Sequence, residues 1–116
     1  MNTKINLTYN GQDYTLEYDR TSVKMLENSG FVLDEFLQKP MNNIELAFAG
    51  SFIKNHKSVK QTVIDNIYKG CKNKNKLIET LTVMIQETYE SLLEDGSDEG
   101  NVSWEVIDLS PKTSQK

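Results

Sequence analysis

Residues 4–18 read KINLTYNGQDYTLEY. Apolar and polar side chains alternate over residues 5–9 and again over residues 14–18, which is the spacing of strands that bury one face. Between the two runs, Asn10-Gly11 can adopt the positive φ angles that a two-residue hairpin turn requires. The sequence therefore predicts a β-hairpin, whose apolar face needs a packing partner because an isolated hairpin is marginal in water.

Downstream of the hairpin, apolar residues recur three and four positions apart, which is the period of an amphipathic helix. Thr21 or Ser22 is placed to cap the first helix. Ser58, with Gln61 three residues later, matches a capping box at the start of another. We expect a short turn after Asp34 and four main helices, over residues 22–28, 42–55, 58–70 and 74–93.

The length of 116 residues suits one domain with a modest core. We predict an α+β fold over residues 1–93, in which an N-terminal β-hairpin is followed by about four α-helices packed as a small bundle. Residues 94–116, hereafter the C-terminal segment, form a flexible acidic tail in this prediction, because their first half is charged and rich in glycine. The sequence has no signal-peptide core and no run of about 18 apolar residues, so we expect the protein to stay in the cell that makes it.

Charge is segregated along the chain. Seven lysines and one acid, Asp65, lie between residues 54 and 76, whereas residues 87–108 contain eight carboxylates and no lysine or arginine. A basic helical middle and an acidic end with large apolar residues indicate a protein that binds protein segments, including other copies of itself.

Residue types suited to catalysis are scarce. His56 is the only histidine and is expected to act as a cation at a helix end. Cys71 is the only cysteine; nearby lysines can favour a thiolate, but with no second histidine and no catalytic signature we expect an incidental thiol. The chain has no set of four zinc ligands, no phosphate-binding glycine loop, and no EF-hand spacing among its acids. We therefore expect no enzyme and no cofactor.

Three groups of residues are candidates for protein binding. The basic stretch can be a solvated surface, a docking surface for an acidic partner, or a nucleic-acid patch, although it contains no arginine and the net charge is −4. The C-terminal segment can add a strand to its own hairpin, add one to another subunit, or order only on a partner. The candidates are Lys54, Lys57 and Lys60, then Phe48 and Phe52 from the helix over residues 42–55, and Val102, Trp104 and Val106 at strand spacing.

Short stretches spread over nearly the whole chain resemble a known family when taken in order. They are INLTYNG (5–11), YTLEY (14–18), SVK (22–24), GFV (30–32), KP (39–40), FAG (48–50), VID (63–65), IY (67–68) and GNVSW (100–104). With these stretches the chain resembles the tail assembly chaperones of long-tailed phages and prophages of Gram-positive bacteria.

The resemblance implies a mostly helical, oligomerising, non-enzymatic protein of the host bacterial cytoplasm. Its partners would be the tape-measure protein, which such chaperones hold before the tail tube polymerises, and the major tail protein. Membranes and nucleic acid are not expected partners. Two alternatives stay open, a structural head–tail or tail-completion protein of the virion and a small nucleic-acid-binding regulator. Presence of the chain in purified particles would support the structural protein. Salt-sensitive retention on DNA would support the regulator.

Overall fold

The computed structural model describes residues 3–94 and 102–107. Its elements, in chain order, are β1 (Ile5–Tyr9), β2 (Gln12–Leu16), α1 (Arg20–Asn28), α2 (Leu33–Gln38), α3 (Pro40–Gly50), α4 (Gln61–Gly70) and α5 (Lys74–Leu92). A hairpin followed by helices confirms the predicted α+β class. No helix among the described residues is long and apolar enough to cross a membrane.

The predicted hairpin is confirmed. Strands β1 and β2 pair antiparallel, with Ile5 opposite Leu16, and Asn10 and Gly11 both have positive φ angles, 52° and 77°. Positive φ at both central residues is the geometry that makes the twist of a two-residue turn match that of its strands. The apolar residues of the hairpin pack against the helical core, as the marginal stability of an isolated hairpin requires.

Helix α1 begins two residues earlier than predicted. Its N-cap is Asp19, whereas the sequence suggested Thr21 or Ser22. The carboxylate of Asp19 accepts the N–H of Ser22 at 2.8 Å, and the hydroxyl of Ser22 accepts the N–H of Asp19 at 2.8 Å. This reciprocal pair satisfies two backbone donors that a helix start otherwise leaves free. Gly30 follows the helix with φ 101°.

The predicted helix over residues 42–55 is shifted in the structure. Pro40 is its first helical residue, which suits the fixed φ and missing N–H of proline, and the helix ends at Gly50. Residues 51–55 form turns instead, and the hydroxyl of Ser51 donates to the carbonyl of Phe48 at 2.6 Å. The short turn expected after Asp34 is replaced in the structure by the six-residue helix α2, which precedes α3. Neither Asp34 nor any other side chain caps this helix.

The capping box predicted from Ser58 and Gln61 is wrong. Helix α4 begins at Gln61 itself, without a side-chain cap, and the amide of Gln61 donates to the carboxylate of Asp65 at 2.9 Å. The long last helix, by contrast, is confirmed within one residue at its C-terminus.

Helix α3 lies at the centre of the fold and contacts α1, α2, α4 and α5. Phe48 of α3 is buried, and so are Leu81 and Ile85 of α5. At Gly50 the side chain of Leu26 in α1 comes so close that an added Cβ would lie 2.6–2.9 Å from its carbons. Helices α1 and α3 therefore pack closely only because position 50 has no side chain.

Candidate protein-binding surface

Residues 51–60 connect α3 to α4 and cover the outer edge of β2. The N–H of Thr15 donates to Nε2 of His56 at 2.9 Å, and the carbonyl of Thr15 accepts from the side-chain amide of Asn55 at 3.1 Å. One residue beyond β2, the N–H of Glu17 donates to the carbonyl of Ser51 at 3.0 Å. These bonds pair backbone groups that an edge strand would otherwise leave open.

The carboxylate of Glu17 is buried beneath this connection. It accepts from Asn55 at 2.8 Å and from the ammonium of Lys54 at 3.2 Å, and Lys4 lies 3.9 Å away. The bond from Asn55 is the largest influence lowering the pKa of Glu17, and Lys54 adds to it, whereas burial opposes both. Lys54 is thus held by an internal partner, which makes it a poor candidate for binding an acidic partner protein.

The predicted lysine cluster divides into two groups at opposite ends of α4, about 15 Å apart for a ten-residue helix. Lys57 and Lys60 precede α4, are exposed, and form no ion pair with any described residue. At the other end, the ammonium of Lys74 donates to the carbonyl of Cys71 at 2.8 Å and lies 5.2 Å from the centre of the Tyr68 ring. The surface therefore offers two small basic patches and no continuous basic stripe.

An open groove of about 250 Å³ lies beside Lys57, between α1, α3 and residues 53–61. Its apolar lining residues include Met25, Leu46, Ala49, Ile53 and Val59, and its polar ones are Ser29, His56, Lys57 and Gln61. The sequence did not reveal the groove, because its walls come from four separate segments. The one feature of the sequence that pointed to a groove here was the pair of small residues at the end of α3, Ala49 and Gly50.

Phe48 and Phe52 are buried core residues, which corrects the prediction that they form an exposed binding surface, although Phe52 also lines the floor of the groove. Each is only 1% exposed, and their rings meet edge to face with centroids 5.3 Å apart. Helical spacing alone does not tell a stripe that faces the protein's own core from one that faces a partner. Phe52 also packs edge to face on Tyr14, so it joins the hairpin to α3.

The described part of the C-terminal segment is exposed. Val102, Trp104, Val106 and Ile107 have exposed fractions between 70% and 82%. Over residues 102–107 there is no strand, and the sheet of the described residues contains only β1 and β2. A third strand on the chain's own hairpin, the first of the three predicted arrangements, is therefore wrong for these residues. The remaining residues of this segment, 95–101 and 108–116, lie outside the described residues, so its flexibility stays a prediction.

His56 does not lie at a helix end as predicted, because α3 ends at Gly50; its Nε2 accepts the N–H of Thr15 at 2.9 Å. Burial raises the pKa of the half-buried Cys71 thiol, and Lys74 opposes this only in part. Among residues 3–94 and 102–107, no three His, Cys, Asp or Glu side chains gather where they could hold a metal ion.

Comparison with known proteins gives one match. No curated protein and no solved structure matches the chain. The model of a family described as a domain of unknown function, DUF5055, matches residues 1–107, a range that contains the hairpin, the five helices of the described residues and the segment with Trp104. The chain therefore belongs to the DUF5055 family.

Proposed function

We propose that this chain is a non-enzymatic phage tail assembly chaperone. In this role it binds the tape-measure protein and tail-tube subunits in the bacterial cytoplasm and associates with copies of itself. The proposal rests on the resemblance of the ordered sequence stretches and on one structural observation, the exposed apolar residues around Trp104.

That observation concerns an unusual density of large apolar side chains in contact with water. Four of the six residues from 102 to 107 are large, apolar and at least 70% exposed. Single exposed apolar residues are ordinary on a soluble protein, whereas contiguous ones mark sites of interaction. Tryptophan is also the residue type most enriched among those that dominate binding energy at protein interfaces.

A tape-measure protein is long, helical and partly apolar, so it aggregates unless something covers it. The apolar residues near Trp104 supply one covering surface. A second apolar surface is the C-terminal end of α5, where Leu92 and Leu93 are exposed. Helix α3 takes no part, since its apolar stripe forms the core. Acidic residues next to the apolar ones keep the unbound protein soluble.

The test is performed in an inducible prophage that encodes the protein. Inactivation of the gene should abolish tails, and mass spectrometry of purified wild-type particles should not detect the chain. A Trp104→Ser variant should yield far fewer tailed particles. Met41→Ser serves as the matched control, because Met41 is 69% exposed but lies at the start of α3, and it should assemble tails normally. Stoichiometric amounts of the chain in particles would identify a structural virion protein instead.

A further inference from the structure

We propose that the groove between α1, α3 and residues 53–61 is the binding site for Trp104 of a second copy of this chain. The carboxylate of Glu105 and its acidic neighbours would then lie beside Lys57 and Lys60. The inference rests on the self-association in the proposed function and names its contact, and it can fail or hold separately from the chaperone role because the contact between copies requires no phage protein.

The groove has the size and lining for one aromatic side chain. A cavity of about 150 Å³ holds a benzene molecule, so the groove of about 250 Å³ accommodates an indole. Met25, which is 43% exposed, forms part of its wall, and methionine adapts its shape to aromatic partners. Gln61 lines the same groove, and its side-chain carbonyl oxygen can accept the indole N–H because its amide nitrogen already donates to Asp65.

Charge complementarity selects the C-terminal segment as the occupant. Residues 94–108 of this segment contain six carboxylates and no basic residue. Lys57 lines the groove, Lys60 directly precedes the lining residue Gln61, and neither is paired with a described acid.

Acidic groups on the neighbouring helices already have partners within the chain. The carboxylate of Glu27 in α1 accepts the hydroxyl of Tyr89 at 2.8 Å, and that of Asp65 in α4 accepts the amide of Gln61. Glu45 of α3 lines a separate pocket with Asp65 and Tyr68. These neutral donors leave the carboxylates charged, so the positive character of the groove rests on its own lining, in which Lys57 is present and no carboxylate of a described residue occurs.

A second copy is the occupant because the chain does not fill its own groove. Trp104 is 81% exposed and the groove is open in the same structure. The groove and the segment around Trp104 are different patches, so the contact is head-to-tail. Contacts of this type generate rings or open arrays.

The first test measures the mass and the tryptophan emission of purified full-length protein together. Trp104 is the only tryptophan, so its emission reports on this contact alone. As concentration increases, mass should rise above the monomer's 13.3 kDa and emission should shift to the blue in parallel. Raising sodium chloride from 0.1 M to 1 M, which shortens the Debye length from about 10 Å to about 3 Å, should weaken association severalfold.

Two variants separate the groove from the rest of the surface. Met25→Glu places a carboxylate in the groove and should reduce association at least tenfold, whereas Met41→Glu adds the same charge at an exposed methionine elsewhere and should not. Both variants should keep the circular dichroism and the melting transition of the wild type. Equal association of the two would overturn the proposal.

Complementation distinguishes contact between copies from contact within one chain. Trp104→Ser retains the groove, and Met25→Glu retains the tryptophan, so each alone should remain monomeric. Their mixture should form a one-to-one heterodimer with blue-shifted emission. Blue-shifted emission in a monomer at every dilution would overturn the proposal in favour of binding within one chain. A mass that stays at the monomer value up to a protein concentration of about 1 mM, the upper end of weak association, would also overturn the proposal.

Discussion

The imidazole of His56 accepts the backbone N–H of Thr15, with 2.9 Å between the two nitrogens. The ring of His56 also lies edge to face on Tyr14, with centroids 5.0 Å apart. Through these contacts the only histidine joins the segment after α3 to the edge of β2. It holds the hairpin against the helices.

Replacement of His56 by phenylalanine should destabilise the fold by about 1–2 kcal/mol, because the half-buried N–H of Thr15 loses its acceptor while the aromatic contact stays. Urea unfolding measures the change. His56→Gln, which brings an amide oxygen as a new acceptor, is the control and should lose less. Equal stability of His56→Phe and the wild type would show that the hydrogen bond contributes nothing.

Stability should decline in acid partly through Glu17. Because its folded pKa lies below the ordinary value of 4.5, the unfolded chain binds the proton more readily. The stabilisation is therefore complete well above pH 4.5 and is lost as the pH falls through the lower folded value. The free energy of unfolding, measured from pH 7 to pH 3, should drop more steeply in the wild type than in Glu17→Gln. Parallel curves would contradict this assignment.

Gly50→Ala should destabilise the protein although alanine is the better helix former. The gain in helix propensity is about 1 kcal/mol, whereas overpacking against buried Leu26 costs about 1–3 kcal/mol. We expect a net loss near 1 kcal/mol by thermal or urea unfolding. The double variant Leu26→Ala with Gly50→Ala should show that the two changes are not additive, because the clash disappears. Additive losses would mean that the close approach is unimportant.

Tyr18→Phe should cost about 1 kcal/mol, since the buried hydroxyl of Tyr18 donates to the carbonyl of Ala47 at 2.6 Å. The loss is limited because that carbonyl also accepts the N–H of Ser51 at 3.2 Å. Tyr9→Phe is the matched control, because Tyr9 is only partly buried and donates no hydrogen bond among the described residues. Loss of the same size in both variants would contradict the assigned bond.

The hairpin and the long helix α5 were predictable from local signals. Asn10-Gly11 allows only a few turn geometries, and the apolar period of α5 persists over 19 residues. The starts of α1 and α4 were not predictable, because several polar residues near each start can serve as caps. At α1 tertiary context selects Asp19 over Ser22, and at α4 it selects a start without any side-chain cap.

The candidate surface was predictable only where it depends on composition. The sequence marked the segment around Trp104 as a binding candidate but left open whether Trp104 is buried on its own hairpin or exposed. The burial of Phe48 and Phe52, the ion pair of Lys54 with Glu17, and the groove all depend on contacts between segments far apart in the sequence. No local pattern contains that information.

The chaperone role is tested most directly by co-expression with the tape-measure protein encoded in the same phage genome, followed by separation of soluble and insoluble fractions. We predict that the wild-type chain keeps the tape-measure protein soluble and co-purifies with it. Trp104→Ser should lose this ability, and Met41→Ser should retain it. If the tape-measure protein precipitates equally with and without the wild-type chain, and nothing co-purifies, the chain is not its chaperone.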